Sequence, residues 1–160
     1  MIRVADFRSD VLAALLSRLS LRLRHVDDDA VIPGSYWGED EAGLIGAELF
    51  VHDRTPVHSA LHEACHYVCM DETRRKGLHR DAGGDHAEEN AVCYLQILMT
   101  DHLPEMGRAK MCADMDAWGY TFRLGSAREW FERDADDARV WLFDKKLIDA
   151  GERITWRLRV

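Results

Sequence analysis

The sequence predicts a single α+β domain with a small mixed sheet, and three observations carry that prediction. Apolar residues recur at intervals of three and four in several stretches, around Leu12, Leu61 and Leu95, which is the period of a helix with one buried face. Runs with strand character stand apart from these, at residues 43–51 and 154–160. No repeat, low-complexity tract or Pro/Gly/Ser-rich linker divides the 160 residues, so one domain, 1–160, accounts for the length.

Taken in order, residues 1–4 can form a short strand, and Ser9 or Asp10 can cap a helix whose face is Leu12, Leu15, Leu16, Leu19 and Leu23. Residues 25–30 are an acidic connector and Pro33-Gly34 is a turn. Residues 36–38 and 43–51 flank Glu39-Asp40-Glu41, which predicts a hairpin weighted by Leu44, Ile45, Leu49, Phe50 and Val51. Thr55-Pro56 then opens a helix, Thr as cap and Pro at the first helical position, where its missing N–H costs nothing. Along it Val57, Ala60, Leu61, Ala64, Cys65 and Val68 form an apolar stripe bordered by His58, His62 and His66. Residues 71–84 have no period and end in Gly83-Gly84, the pattern of a loop. The next helix starts at Asp85 or His86 and buries Ala87, Ala91, Tyr94, Leu95, Leu98 and Met99. Met111, Cys112, Met115 and Trp118 mark a helix over 106–118, as core side chains rather than a turn beneath a metal. Residues 119–125 are irregular, and Ser126 with Glu129 forms a capping box for a helix running to the neighbourhood of Leu147. Ala150-Gly151 stops it, and Ile154, Trp156, Leu158 and Val160 alternate with polar residues as a terminal strand of the sheet.

Composition narrows the function. The net charge is −8, and the one basic run, Arg74-Arg75-Lys76, is followed by Asp81 and Asp85, which disfavours nucleic acid as a direct partner. Neither a secretory leader pattern nor an apolar run of membrane-spanning length occurs, so a cytoplasmic protein with no membrane partner is expected. Cys65, Cys69, Cys93 and Cys112 fall within apolar helical patterns, as reduced and buried thiols do.

The chemistry is concentrated in His62-Glu63-x-x-His66. Residues four apart on a helix lie one above the other, so both imidazoles can reach one ion while Glu63 stands beside it as base. That is the donor set of a hydrolytic zinc site, which needs a third protein ligand. Glu88 precedes Ala91 by three and Leu95 by seven and therefore points at the core, whereas Glu89 aligns with Cys93, Gln96 and Thr100 on a more polar side. Glu88 is accordingly the expected third ligand, although Asp85 and Glu88 also fit a capping box. Glu89, His86, Asp85 and His79 are the lesser candidates.

His62, Glu63 and His66, followed after a variable loop by Glu88, Ala91, Tyr94, Leu98 and Met99, resemble the small zinc peptidases of the ImmA/IrrE type within the HExxH glutamate-zincin class. Tyr94 and Met99 replace the family's Phe and Leu, and Leu95 stands where a small residue is usual. The resemblance covers residues 43–104. It implies a zincin-like, bacterial-type metallopeptidase fold with an active-site helix, a second ligand-bearing helix and a small mixed sheet. It further implies Zn2+ on His62, His66 and Glu88, with Glu63 as catalytic base and a protein or peptide as substrate, the known members acting on bacterial repressors. The metzincin pattern does not fit, since Cys69 stands at its Gly position and no third His follows.

The expected function is thus zinc-dependent peptide-bond hydrolysis of a protein or peptide, with a regulatory role among the expectations. Residues 43–51 are the candidate strand for aligning an extended substrate. His58, Tyr67, His86, Tyr120 and Arg123 are eligible by type to stabilise an oxyanion. The alternatives are a catalytically weak zinc-binding scaffold that serves as a protein-binding or regulatory module, and a metal-free interaction protein. A thiol hydrolase on Cys65 or Cys69 is disfavoured, because no orienting third group accompanies the pair within one helix.

Overall fold

The first helix ends where the spacing of its leucines changes from helical to alternating. The structure, a computed structural model, describes residues 1–35, 38, 40–78 and 82–160. After a 3-10 turn at Val4–Asp6, helix α1 (Ser9–Ser17) is closed by Ser20 at φ 61, with the Leu21 N–H donating to Leu16 O at 3.0 Å. Leu21 and Leu23 then follow the strand period, and β1 is Arg22–His25. Residues 1–4 contribute only an isolated bridge, Arg3 to Pro56, in place of the expected strand.

The apolar stretch at 43–51 supplies a complete hairpin by itself, β2 (Gly43–Ile45) and β3 (Glu48–Val51) around Gly46-Ala47. The expected outer arm at Tyr36 and Trp37 lies outside the described residues. The sheet order is β1-β3-β2, with β1 parallel to β3, Leu23 opposite Leu49, and β2 antiparallel to β3. Leu44, Leu49 and Val51 are buried beneath the helices. Pro33 and Gly34 pass close to Gly43 and Leu44 of β2.

Helix α2 (Val57–Cys69) starts one residue later than its Thr-Pro signal suggests: Pro56 is the cap residue, while Thr55 Oγ1 accepts from the His52 N–H at 2.8 Å. The loop at 71–84 contains a short helix, α3 (Glu72–Lys76), capped by the Asp71 side chain on the Arg74 N–H. Helix α4 (His86–Met99) is capped by Asp85 on the Glu88 N–H at 2.9 Å and packs along α2. Burying Leu61, Val68, Leu95 and Leu98 between these elements is worth about 1.5–3 kcal/mol for each side chain. Ala87, expected inside, is exposed in the first turn.

Helix α5 is Gly107–Trp118. The expected long helix after Ser126 is two, α6 (Ala127–Arg133) and α7 (Asp136–Asp144), interrupted at Asp134, whose carboxylate is held by Arg123. The terminal alternation does not become a strand. Trp156 sits at φ 63, the one ladder contact of this segment among the described residues is the bridge Ile148 to Ile154, and Arg159 bonds to the end of α2. Among the described residues the fold is therefore α+β, seven helices with one three-stranded mixed sheet.

Candidate metal centre

Helix α2 is buried all round except at His62 and Glu63, which are half-buried. A helix enclosed on every side belongs to a core, so an opening at two adjacent positions marks where that core admits solvent. The opening is a cavity of about 460 Å3 walled by His58, His62, Glu63 and His66 of α2, by Glu89 of α4, by Glu41-Ala42 before β2, and by Trp118, Gly119 and Tyr120. Ala42 N–H donates to Ser59 Oγ at 2.9 Å, which ties the strand side of the cavity to α2.

The Nε2 atoms of His62 and His66 are 3.0 Å apart, and the two oxygens of Glu89 lie 3.1 Å from His62 Nε2 and 3.2 Å from His66 Nε2. These three side chains form a group whose donor atoms all lie within 4.8 Å of one another. Gln96, fully buried two turns along α4 from Glu89, fixes the imidazole of His62. Its Nε2 donates to the His58 carbonyl at 3.0 Å, so its Oε1 is the atom 2.9 Å from His62 Nδ1. His62 Nδ1–H then donates to Gln96, leaving the Nε2 lone pair directed at the cluster, the support an imidazole ligand needs. Two imidazoles and one carboxylate are the donor types of a zinc-like site, and the pinned tautomer makes the set fit an ion. Without an ion the cluster is an ion pair. Burial opposes charge on His62, but Tyr120, Cys93 and Glu89 outweigh it and raise its pKa well above 6.5. Burial likewise works against the Glu89 carboxylate, and the two histidines hold it well below the usual carboxylate range.

The carboxylate that meets the two imidazoles is Glu89, whereas Glu88, the expected third ligand, lies outside that cluster. Glu88 does face inward and is buried, as its place on the apolar stripe predicts, but inward at that position is toward Arg74, 2.7 Å away, and Arg159, 3.8 Å away. Glu89 is one residue, about 100°, further round α4 and meets α2. Asp85 is occupied as the cap, His86 is exposed beside Asn90, and His79 lies outside the described residues. The polar face Glu89, Cys93, Gln96 was the signal for this arrangement, since a Gln in the middle of an apolar helix needs a polar partner.

Glu63 stands at the cavity beside the cluster. Burial raises its pKa against the pull of His62 and His66, and Glu41 and Glu89 add to the rise. Of the groups eligible for an oxyanion, Tyr120 and His58 line the cavity. Gly119, at φ 111, ends α5 in a left-handed turn that few side chains tolerate, and the chain doubles back so that Tyr120 faces α2. Its ring stands edge-on to His62 at 5.6 Å, and its hydroxyl lies 3.3 Å from His58 Nδ1. Burial pushes the Tyr120 phenol up to about 12. Burial, with His62 nearby, brings His58 down to about 3, so a neutral imidazole and a protonated phenol share this hydrogen bond. Tyr67 lies under Arg75, while His86 and Arg123 line a separate groove of about 290 Å3. Burial raises the thiols of Cys65 and Cys69, the opposite of an activated nucleophile.

Compared with protein-family models, curated proteins and solved structures, the chain matches none. Among the described residues no helix is long and apolar enough to cross a membrane.

Proposed function

We propose that His62, His66 and Glu89 hold a zinc ion and that the protein is a zinc-dependent peptide-bond hydrolase of zincin-like type, acting on a protein or peptide. The observation that carries this reading is the convergence of two imidazoles and one carboxylate at an open cavity, with a second carboxylate, Glu63, adjacent and unengaged as a ligand. Zinc bound there would supply Lewis acidity, drawing the pKa of a water down to about 7 and polarising a carbonyl.

The chain's own residues divide the remaining work. Glu63, with its proton affinity raised by burial, takes the proton of the attacking water and returns it to the leaving nitrogen. Tyr120, kept protonated, donates to the carbonyl oxygen as negative charge develops there. His58 receives the Tyr120 hydroxyl when no substrate is present and so keeps the phenol aimed into the cavity. Gln96 holds His62 in the ligating tautomer. The four free, buried thiols accord with a reducing compartment, and a cytoplasmic setting is part of the reading.

Glu63→Gln tests the assignment. The variant should keep one zinc per chain and lose cleavage of a diverse peptide library that the wild type processes. Equal processing by both proteins would remove Glu63 as the base. A wild type that binds zinc and cleaves nothing would favour the alternative, a zinc-binding scaffold that holds a partner.

A further inference from the structure

Glu88 is buried, charged and not in the donor cluster, and the hydrolytic mechanism gives it nothing to do. Its Oε2 is 2.7 Å from Arg74 Nη1 and 3.8 Å from Arg159 Nη1, while its Oε1 is buried without a hydrogen-bond partner among the described residues. The backbone of Gly84 closes the remaining side, where a Cβ would collide with the Glu88 carboxylate. Glu88 is buried while Arg74 is part-exposed, and replacing an ion pair at such depth with apolar side chains is often near neutral, so stability alone does not explain a carboxylate here. What a charge-assisted hydrogen bond from an anchored guanidinium adds is direction.

Both arginines are themselves anchored. Arg74 has its N–H on Asp71 and its Nη2 on the Gly83 carbonyl at 3.1 Å, and Arg159 donates from its backbone N–H to Val68 O and from Nη1 to Cys69 O, at the end of the helix that carries His62 and His66. Because neighbouring helix residues differ by about 100°, holding Glu88 on this side fixes where Glu89 points. We propose that Glu88 is a positioning residue for the metal centre: the pairing of its buried carboxylate with Arg74, flanked by Arg159, sets the rotation of the first turn of α4 that brings Glu89 onto His62 and His66. The inference rests on the reading of that cluster as a zinc site.

Zinc affinity, measured by competition between Zn2+ and a chromophoric chelator, tests it in a double-mutant cycle on the full chain. Glu88→Gln should weaken zinc binding by about 10–100-fold, the usual size of an outer-shell loss. In a Glu89→Gln background the same substitution should change affinity little, because the group it positions is no longer a ligand. Should Glu88→Gln fail to fold, the paired variant Arg74→Met/Glu88→Met, which leaves no lone buried charge, is the measure, with the same loss expected at unaltered thermal stability. Wild-type affinity in either folded variant would overturn the proposal. So would an equal loss in both backgrounds, which is the mark of a merely structural role. A wild type that binds no zinc would instead overturn the metal reading, and this inference with it.

Discussion

His58 is fully buried on the same face of α2 as the cluster, and its neutrality has a measurable consequence for folding. An unfolded histidine takes a proton near 6.5, whereas burial holds His58 in the folded chain down at about 3. Between those values the unfolded state binds one more proton than the folded state, so stability falls as the pH is lowered through 6.5 and the loss is complete near 3. At pH 4.5 the unfolded side chain is two pH units below its pKa and the folded one is still neutral. The cost relative to neutral pH is about 3 kcal/mol, against a total of about 5–15 kcal/mol for a domain. His58→Asn places an amide oxygen close to the position of Nδ1, retains an acceptor for Tyr120 and removes the titration. Urea unfolding of both proteins from pH 7 to pH 4.5, with chelator present so that metal binding does not enter, should give curves that converge by about 3 kcal/mol as the pH falls. Parallel curves would refute the assignment of a neutral buried imidazole.

Two further predictions concern the cavity. Tyr120→Phe should leave zinc binding within a few-fold of wild type and lower kcat by about 10²–10³-fold in the peptide assay, with KM less affected; an unchanged kcat would remove Tyr120 from the reaction. Zinc must displace the proton that His62, raised well above 6.5, otherwise carries, so zinc affinity should rise about tenfold for each pH unit from 6 until His62 is deprotonated. Isothermal titration over that range checks this, and a pH-independent affinity would contradict it.

Much of the fold is legible because its signals are local. The apolar stripe of α2, the caps Asp85 and Ser126 and the turn at Gly119 each act within one or two helical turns, and all appear where those residue types require. β1 is less legible, because Leu19 belongs to both a helical and an alternating series and the helix stops at Ser20 in a left-handed conformation with no glycine to announce it. The terminal segment alternates like a strand but pairs with none among the described residues; Arg18 stacked 3.4 Å from the Trp156 ring and Arg159 at the end of α2 hold it instead. His62, Glu63 and His66 all line the cavity. The choice between Glu88 and Glu89 depends on partners far along the chain. Burial of Glu88 is legible from the stripe, but Arg74 and Arg159 as the groups it faces are not, and an ion pair captures the carboxylate that points most directly inward. A ligand must face the opening of the core, where water and substrate enter, and that is the more polar face of α4.

Metal binding by His62, His66 and Glu89 underlies both proposals. Elemental analysis of protein purified without a His tag and dialysed against micromolar Zn2+ tests it most directly. One zinc per chain in the wild type and well below one in His62→Ala or Glu89→Ala is the predicted result. A wild type without stoichiometric zinc, or a Glu89→Ala protein that retains it in full, would contradict the account.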